Sequence, residues 1–202
     1  MRKYITEFIG TFFLVLAAGL AKGELTVLII GATLMVMIFA GGHISGAHYN
    51  PAVTLAVLVR GRCTINDAIF YWISQIIGAV LAAMLATYFK GDSTPMSIED
   101  STKALIAELV ATFALAYVVL NVATAKGTSG NSFYGLAIGF TVFALGSLVG
   151  PISGGALNPA VAVGASIMKA FEWSTIWIYL VGCLAGGLLA AIIFKINNPD
   201  DK

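Results

Sequence analysis

Six stretches of this chain are long and apolar enough to cross a lipid bilayer, and that restricts the fold more than any other feature. A helix crosses about 30 Å of hydrocarbon with roughly 20 residues. The runs that meet this length lie at residues 4–21, 25–41, 67–89, 103–125, 132–149 and 173–194. Backbone polar groups in hydrocarbon must find partners inside the protein, so runs of this length predict spanning helices. Of the 202 residues, 59% are hydrophobic and 10% charged, against about 25% charged in a soluble domain. A net charge of +1 offers no basic face for phosphates, which excludes a nucleic-acid partner. A chain this apolar is not a disordered one either.

Two shorter apolar pieces remain, 51–59 and 159–168, each about half a span and each opened by Asn-Pro-Ala. Such lengths fit re-entrant segments. The basic start Met1-Arg2-Lys3 is followed by an apolar run that contains Glu7 and no small-x-small cleavage site, so it reads as a first span and not as a cleaved signal. Cys63 and Cys183 have no metal-ligand spacing and read as reduced, structural thiols.

The chain repeats itself. Glu7-Phe-Ile-Gly-Thr11-Phe12 returns as Glu108-Leu-Val-Ala-Thr112-Phe113, and the eleven residues from His43 to Val53 return from Pro151 to Val161 with seven identities. The polar stretch 91–101 separates halves 1–97 and 98–202 of what reads as one domain. Each half holds three spans and one half-length piece, and an odd number of spans turns the second half upside down. The expected architecture is an all-α membrane protein of six transmembrane helices plus two re-entrant half-helices, arranged as an inverted repeat. With the N-terminus inside, Arg2, Lys3, Arg60, Arg62, Lys126, Lys195 and Lys202 lie on the cytoplasmic face, and Lys22, Lys90, Lys103 and Lys169 outside. This bias favours cytoplasmic N- and C-termini in a cell (inner or plasma) membrane.

Asn is a preferred N-cap and Pro suits the first helical position, so Asn50-Pro51-Ala52 and Asn158-Pro159-Ala160 each read as a helix start. The small residues before them, 45–47 and 153–156, predict a non-helical approach, with the carbonyls of Gly46, Ala47, His48, Gly154, Gly155 and Ala156 facing a pore. In inverted halves the two helix starts meet near the midplane, each bearing roughly half a positive charge. That arrangement repels cations and suits an uncharged passenger, to which the Asn50 and Asn158 amides can donate.

In these motifs, from Thr6-Glu7-Phe8-Ile9-Gly10-Thr11 through Gly42-His43-Ile44-Ser45-Gly46-Ala47-His48-Tyr49-Asn50-Pro51-Ala52 to Ala107-Glu108 and Ser153-Gly154-Gly155-Ala156-Leu157-Asn158-Pro159-Ala160, the chain resembles the major intrinsic protein family, the aquaporins and aquaglyceroporins, over essentially its whole length. The resemblance implies a right-handed six-helix bundle and a homotetramer with one pore per subunit; the expected passengers are water and small neutral solutes such as glycerol or urea, and no cofactor or metal is expected, since no Cys or paired His stands at ligand spacing. It also places a selectivity filter at Ile30, Gly146, Gly155 and Val161. The last position is an Arg in the family pattern, and this chain departs from it. Two glycines with Ile and Val predict a wider, less polar ring than in water-specific members. An apolar ring can also stop flow by dewetting, and the residues alone leave both outcomes open.

Glu7 and Glu108 sit inside apolar spans, where a carboxylate is a functional candidate. Their symmetry, and their role in the family, point to acceptors for the backbone N–H groups of the re-entrant loops. His48 is a candidate for the inner vestibule, with a titratable gate or simple packing as its two readings. Tyr49 and Leu157 are expected to pack the half-helices, Gly135-x-x-x-Gly139 and Gly182-x-x-x-Gly186 to allow close crossings, and Tyr71, Trp72, Trp173 and Trp177 to sit in the interfacial belt, with Trp72 and Trp177 matched across the repeat. Rival functions are an inverted-repeat secondary transporter, which needs an ion site beyond Glu7 and Glu108, and an ammonia or gas channel, which the apolar Ile30 and Val161 favour. No nucleophile with its base stands at catalytic spacing, so an enzyme is not expected.

Overall fold

Local signals set where the helices begin. In the computed structural model, which describes residues 1–201, the Thr64 side chain accepts from Asp67 N–H, and the Asp100 side chain accepts from Thr102 and Lys103 N–H. The Lys103 N–H also holds the Asp100 carboxyl below its ordinary value. Asn50 and Asn158 cap the two short helices, with Pro in the first turn of each. The resulting helices are α1 (Arg2–Leu20), α2 (Thr26–Ser45), α3 (Pro51–Arg60), α4 (Ile65–Lys90), α5 (Ser101–Ala123), α6 (Tyr134–Ser153), α7 (Pro159–Ile167) and α8 (Ile176–Asn197), and no strand occurs among the described residues. α1, α2, α4, α5, α6 and α8 are long and apolar enough to cross a membrane.

Two spans run further than their sequence predicts. α2 continues to Ser45 and α6 to Ser153, the latter through Pro151, so Ser45 and Ser153 are helical and not part of the approach to the half-helices. The stop falls where the backbone turns left-handed, at Gly46 (φ 85°) and Gly154 (φ 87°), a conformation glycine adopts without steric cost. Only 46–49 and 154–157 are left to cross from each span to its half-helix.

Packing repeats with the sequence. α1 packs on α4 as α5 does on α8, α1 on α2 as α5 on α6, and α3 lies against α8 as α7 does against α4. α2 meets α6 across the middle, and the starts of α3 and α7 approach each other there. The half-helices are thus each held by spans of both halves.

Glycine sets the closest crossings. A Cβ on Gly31 would stand 2.5 Å from Gly139 O, and one on Gly139 the same distance from Gly31 O, so α2 and α6 touch backbone to backbone. Gly186 meets Leu109 O at 2.5 Å on α5, and its counterpart Gly78 meets Phe8 O at 2.6 Å on α1. The expected Gly139 and Gly186 contacts are therefore present, and Gly31 and Gly78 complete them.

One of the aromatic expectations needs correction. Tyr71 is buried, not interfacial, and its partner across the repeat is Tyr179; their hydroxyls donate at 2.6 Å to Ser45 O and Ser153 O. Trp72 donates to Pro51 O, while Trp173 and Trp177 are exposed. On the face that carries the termini, the buried Arg60 guanidinium lies over the Phe194 ring and bonds Asp201 at 2.6 Å. The Asp201 carboxylate also accepts from Lys126 N–H, and both partners hold its carboxyl below its ordinary value.

Gly186→Ala should therefore destabilise the fold by about 1–3 kcal/mol, the usual cost of overpacking. Gly150→Ala, whose Cβ would meet nothing within 4 Å, should be neutral or stabilising. Melting in detergent, followed by size-exclusion recovery after heating, separates the two.

Candidate functional site

Two four-residue loops carry the chain to the start of each half-helix, and their conformation is strained. Ala47 (φ 51°), Tyr49 (φ 49°) and Leu157 (φ 52°) are left-handed without being glycine. Such residues cost about 1–3 kcal/mol each and persist only where their surroundings fix them. Left-handed turns of this kind point successive N–H groups into one concavity that fits an anion.

The anion is a side chain of the opening span of the same half. Glu7 Oε1 accepts from Ser45 Oγ (2.7 Å) and His48 N–H (2.9 Å), and Oε2 from Tyr49 N–H (2.7 Å) and Gln75 Nε2 (2.9 Å). Glu108 repeats the pattern with Ser153 Oγ (2.6 Å), Ala156 N–H (3.0 Å), Leu157 N–H (2.8 Å) and the Cys183 thiol (3.5 Å). Ser45 and Ser153 in turn accept from Ala47 and Gly155 N–H. Both glutamates are 0% exposed. Four donors face each one.

The halves then exchange hydrogen bonds at the centre. Asn50 Nδ2 donates to Leu157 O at 2.8 Å, and Asn158 Nδ2 donates to Tyr49 O at 2.9 Å. Each Oδ1 accepts from the N–H two residues on, Ala52 or Ala160. Each amide therefore has its plane fixed and one N–H left, and both residues line the same cavity. Tyr49 and Leu157 pack as expected, at 0% and 1% exposure, but their main-chain groups also tie carboxylate to loop and loop to opposite amide.

That cavity, about 230 Å³, runs from Thr26, Lys90 and Ser93 at the face opposite the termini, past the four expected filter residues, to Asn50, Asn158 and His48. Ala47, His48, Gly154, Gly155 and Ala156 line it; Gly46 instead lines a second cavity of about 910 Å³ on the termini face. Ile38, His48, Val119 and Ile138 belong to both, so they mark the waist between them. Apart from the residues at its mouth and the groups around the Asn pair, the first cavity is walled by apolar side chains and glycine.

The two glycines expected at the filter do not simply leave space. A Cβ on Gly146 would meet Val27 Cγ1 at 2.8 Å, and one on Gly155 would meet Gly146 O and Gly150 Cα at 3.3 Å. Val27 of α2 thus covers Gly146, and Gly155 lies against the α6 backbone. Lys169, beyond the end of α7, pairs with Asp92 at 2.6 Å and is not among the lining residues.

His48 is held in place. Its Nδ1 lies 3.1 Å from Thr54 Oγ, and its ring meets Tyr71 edge-on at 5.0 Å. Thr54 gives its one proton to Asn50 O and accepts from Gln75 Nε2, so Nδ1 is the donor in its contact with Thr54. Gln75, Thr54 and the exchanged amide bonds escaped the sequence reading. Gln75 stands opposite Cys183 in the repeat, and two unlike residues give no signal in a search for identities.

These paired, carboxylate-braced helix starts inside a bundle of six spans define a membrane-channel fold. The chain belongs to the major intrinsic protein family, whose model matches residues 1–194. It is 35% identical to "Probable aquaporin TIP2-2" of Oryza sativa subsp. japonica over 216 residues, covering 96% of this chain and 86% of that protein. It is 36% identical to "Glycerol uptake facilitator protein-like 6" of Lactiplantibacillus plantarum over 217 residues, covering the whole of both. The solved aquaglyceroporin from Plasmodium falciparum superposes with a TM-score of 0.83 at 22% identity, covering 98% of this chain and 97% of that one.

Glu7→Gln replaces one acceptor oxygen by an amide donor. Whichever way that amide turns, one backbone N–H in a dry site, that of His48 or of Tyr49, loses its acceptor, at about 1–3 kcal/mol. Folded yield and melting temperature should fall, and more for Glu7→Gln than for Glu108→Gln, whose fourth donor is only a thiol. A normal melting temperature with transport abolished would instead assign the carboxylate to the solute.

Proposed function

We propose that this protein is a passive channel for water and small neutral solutes, glycerol or urea among them. The observation that carries the proposal is the pair of cavities that meet at a shared waist in the bundle, with two half-helix starts and two fixed amides converging on the first of them. Their dipoles disfavour cations at the centre, and the one free N–H of each amide can hold a hydroxyl or water oxygen. The relatives named as aquaporins and as a glycerol uptake facilitator support the same passengers.

Ile30, Gly146, Gly155 and Val161 form the filter in this reading. Val161 stands where the family pattern has an arginine, so the ring is apolar, and the cavity runs past all four residues. An apolar ring favours passengers that shed their hydration easily, which also suits glycerol over smaller, more polar solutes. Ion-coupled transport finds no support: the two carboxylates within spans already face four protein donors each. The chain functions as a homotetramer in the cell membrane with both termini cytoplasmic, the orientation that the Lys and Arg bias favours.

Proteoliposomes shocked with glycerol should shrink quickly and then re-swell quickly in stopped-flow light scattering. Val161→Arg should slow re-swelling about tenfold while shrinkage persists, because a long cation narrows and polarises the ring. Wild-type vesicles that behave as empty liposomes in both phases would overturn the channel reading.

A further inference from the structure

At the mouth opposite the termini stands a cation that has no partner among the described residues. Lys90 closes α4, is half-buried, and lines the cavity together with Thr26, Ser93 and Phe171. Among the described residues its ammonium has neither a hydrogen bond nor an ion pair. Among the described residues, no Asp or Glu lines the cavity. The nearest acid along the chain, Asp92, is already bound to Lys169 at 2.6 Å.

The local backbone keeps Lys90 there. Gly91 ends α4 in a conformation open to glycine (φ 75°), and the chain then folds back over the end of α7. Ser93 N–H donates to Met168 O and Met96 N–H to Ala170 O, both at 2.9 Å. The stretch after α4 is therefore strapped across the end of α7 and not a free linker, and it fixes Lys90 and Ser93 at the entrance.

We infer that Lys90 is a specificity-determining residue: from the end of α4 it supplies the fixed positive charge that Val161 does not supply beside the second Asn-Pro-Ala. This rests on the channel reading above and names the group that guards its entrance. An ammonium on a cavity that no described carboxylate lines raises the energy of an entering cation, while its N–H groups can donate to the oxygen of a neutral solute. Its place at the mouth, and not at the ring, keeps the charge without the narrowing that a long side chain at Val161 would bring.

The test uses proteoliposomes of the full chain loaded with a pH-sensitive dye and clamped with potassium and valinomycin. Proton leak after a pH step is divided by glycerol permeability of the same vesicles, which cancels differences in folded protein. The ratio should rise about fivefold in Lys90→Met and tenfold or more in Lys90→Glu, stay low in Lys90→Arg, and respond less at about 1 M than at about 0.01 M salt. Lys22→Met, an exposed cation of the same face that does not line the cavity, should leave the ratio as it is. An unchanged ratio in Lys90→Glu, or an equal rise in Lys22→Met, overturns the assignment. Wild-type vesicles with no glycerol or water permeability would instead overturn the channel reading itself.

Discussion

Everything at the centre of this protein depends on satisfying the backbone of two short loops where water cannot do it. An unpaired N–H or C=O in hydrocarbon costs several kcal/mol, so a chain that leaves its helix at membrane depth must bring its own partners. Glu7 and Glu108 provide acceptors for the N–H groups, and the Asn amides of the opposite halves provide donors for the carbonyls of Tyr49 and Leu157. A carboxylate buried in apolar surroundings is normally unfavourable, and it is sustained here by the donors that converge on it. Left-handed strain at Ala47, Tyr49 and Leu157, loop placement and half-helix position are one coupled arrangement.

The same arrangement separates the polar from the apolar parts of the cavity. Polar groups that hold the loops, such as Thr54, Gln75 and the glutamates, are turned into the protein and bonded there. Away from its mouth, the polar residues that line the first cavity are few, Asn50, Asn158 and His48 beside the loop residues, between walls of Leu, Ile, Val and Gly. Val27 over Gly146 shows why small residues do not translate directly into width. A neighbour fills the space when its side chain is within reach, which no single position in a sequence reports.

Most of the architecture was legible because it is written twice. The Asn-Pro-Ala copies, Glu7 with Glu108, and six apolar runs were enough for the spans, the half-helices and the buttressing carboxylates. Boundaries were less visible at Ser45 and Ser153, since glycine and Pro151 suggest breaks but a helix tolerates them until Gly46 and Gly154 turn left-handed. Tyr71 was misplaced because an aromatic near a span end suits an interface as well as a buried bond to Ser45 O. Gln75 and Lys90 were missed for different reasons. Gln75 lacks an identical partner in the repeat, and Lys90 reaches the cavity through the fold of residues 91–96, which has no sequence signature.

The amide bonds exchanged at the centre also impose an order in time. The acceptor for Asn50 lies 107 residues further along the chain. At a synthesis rate of about 5–20 residues per second, the first half waits roughly 5–20 s for it. During that interval Glu7 can already organise its own loop, since all four of its donors belong to the first half. The Asn50 amide and the Tyr49 carbonyl cannot be completed until α7 arrives. The first half is thus born as a shaped but open-sided piece, and the lumen comes into being only when the second half closes on it.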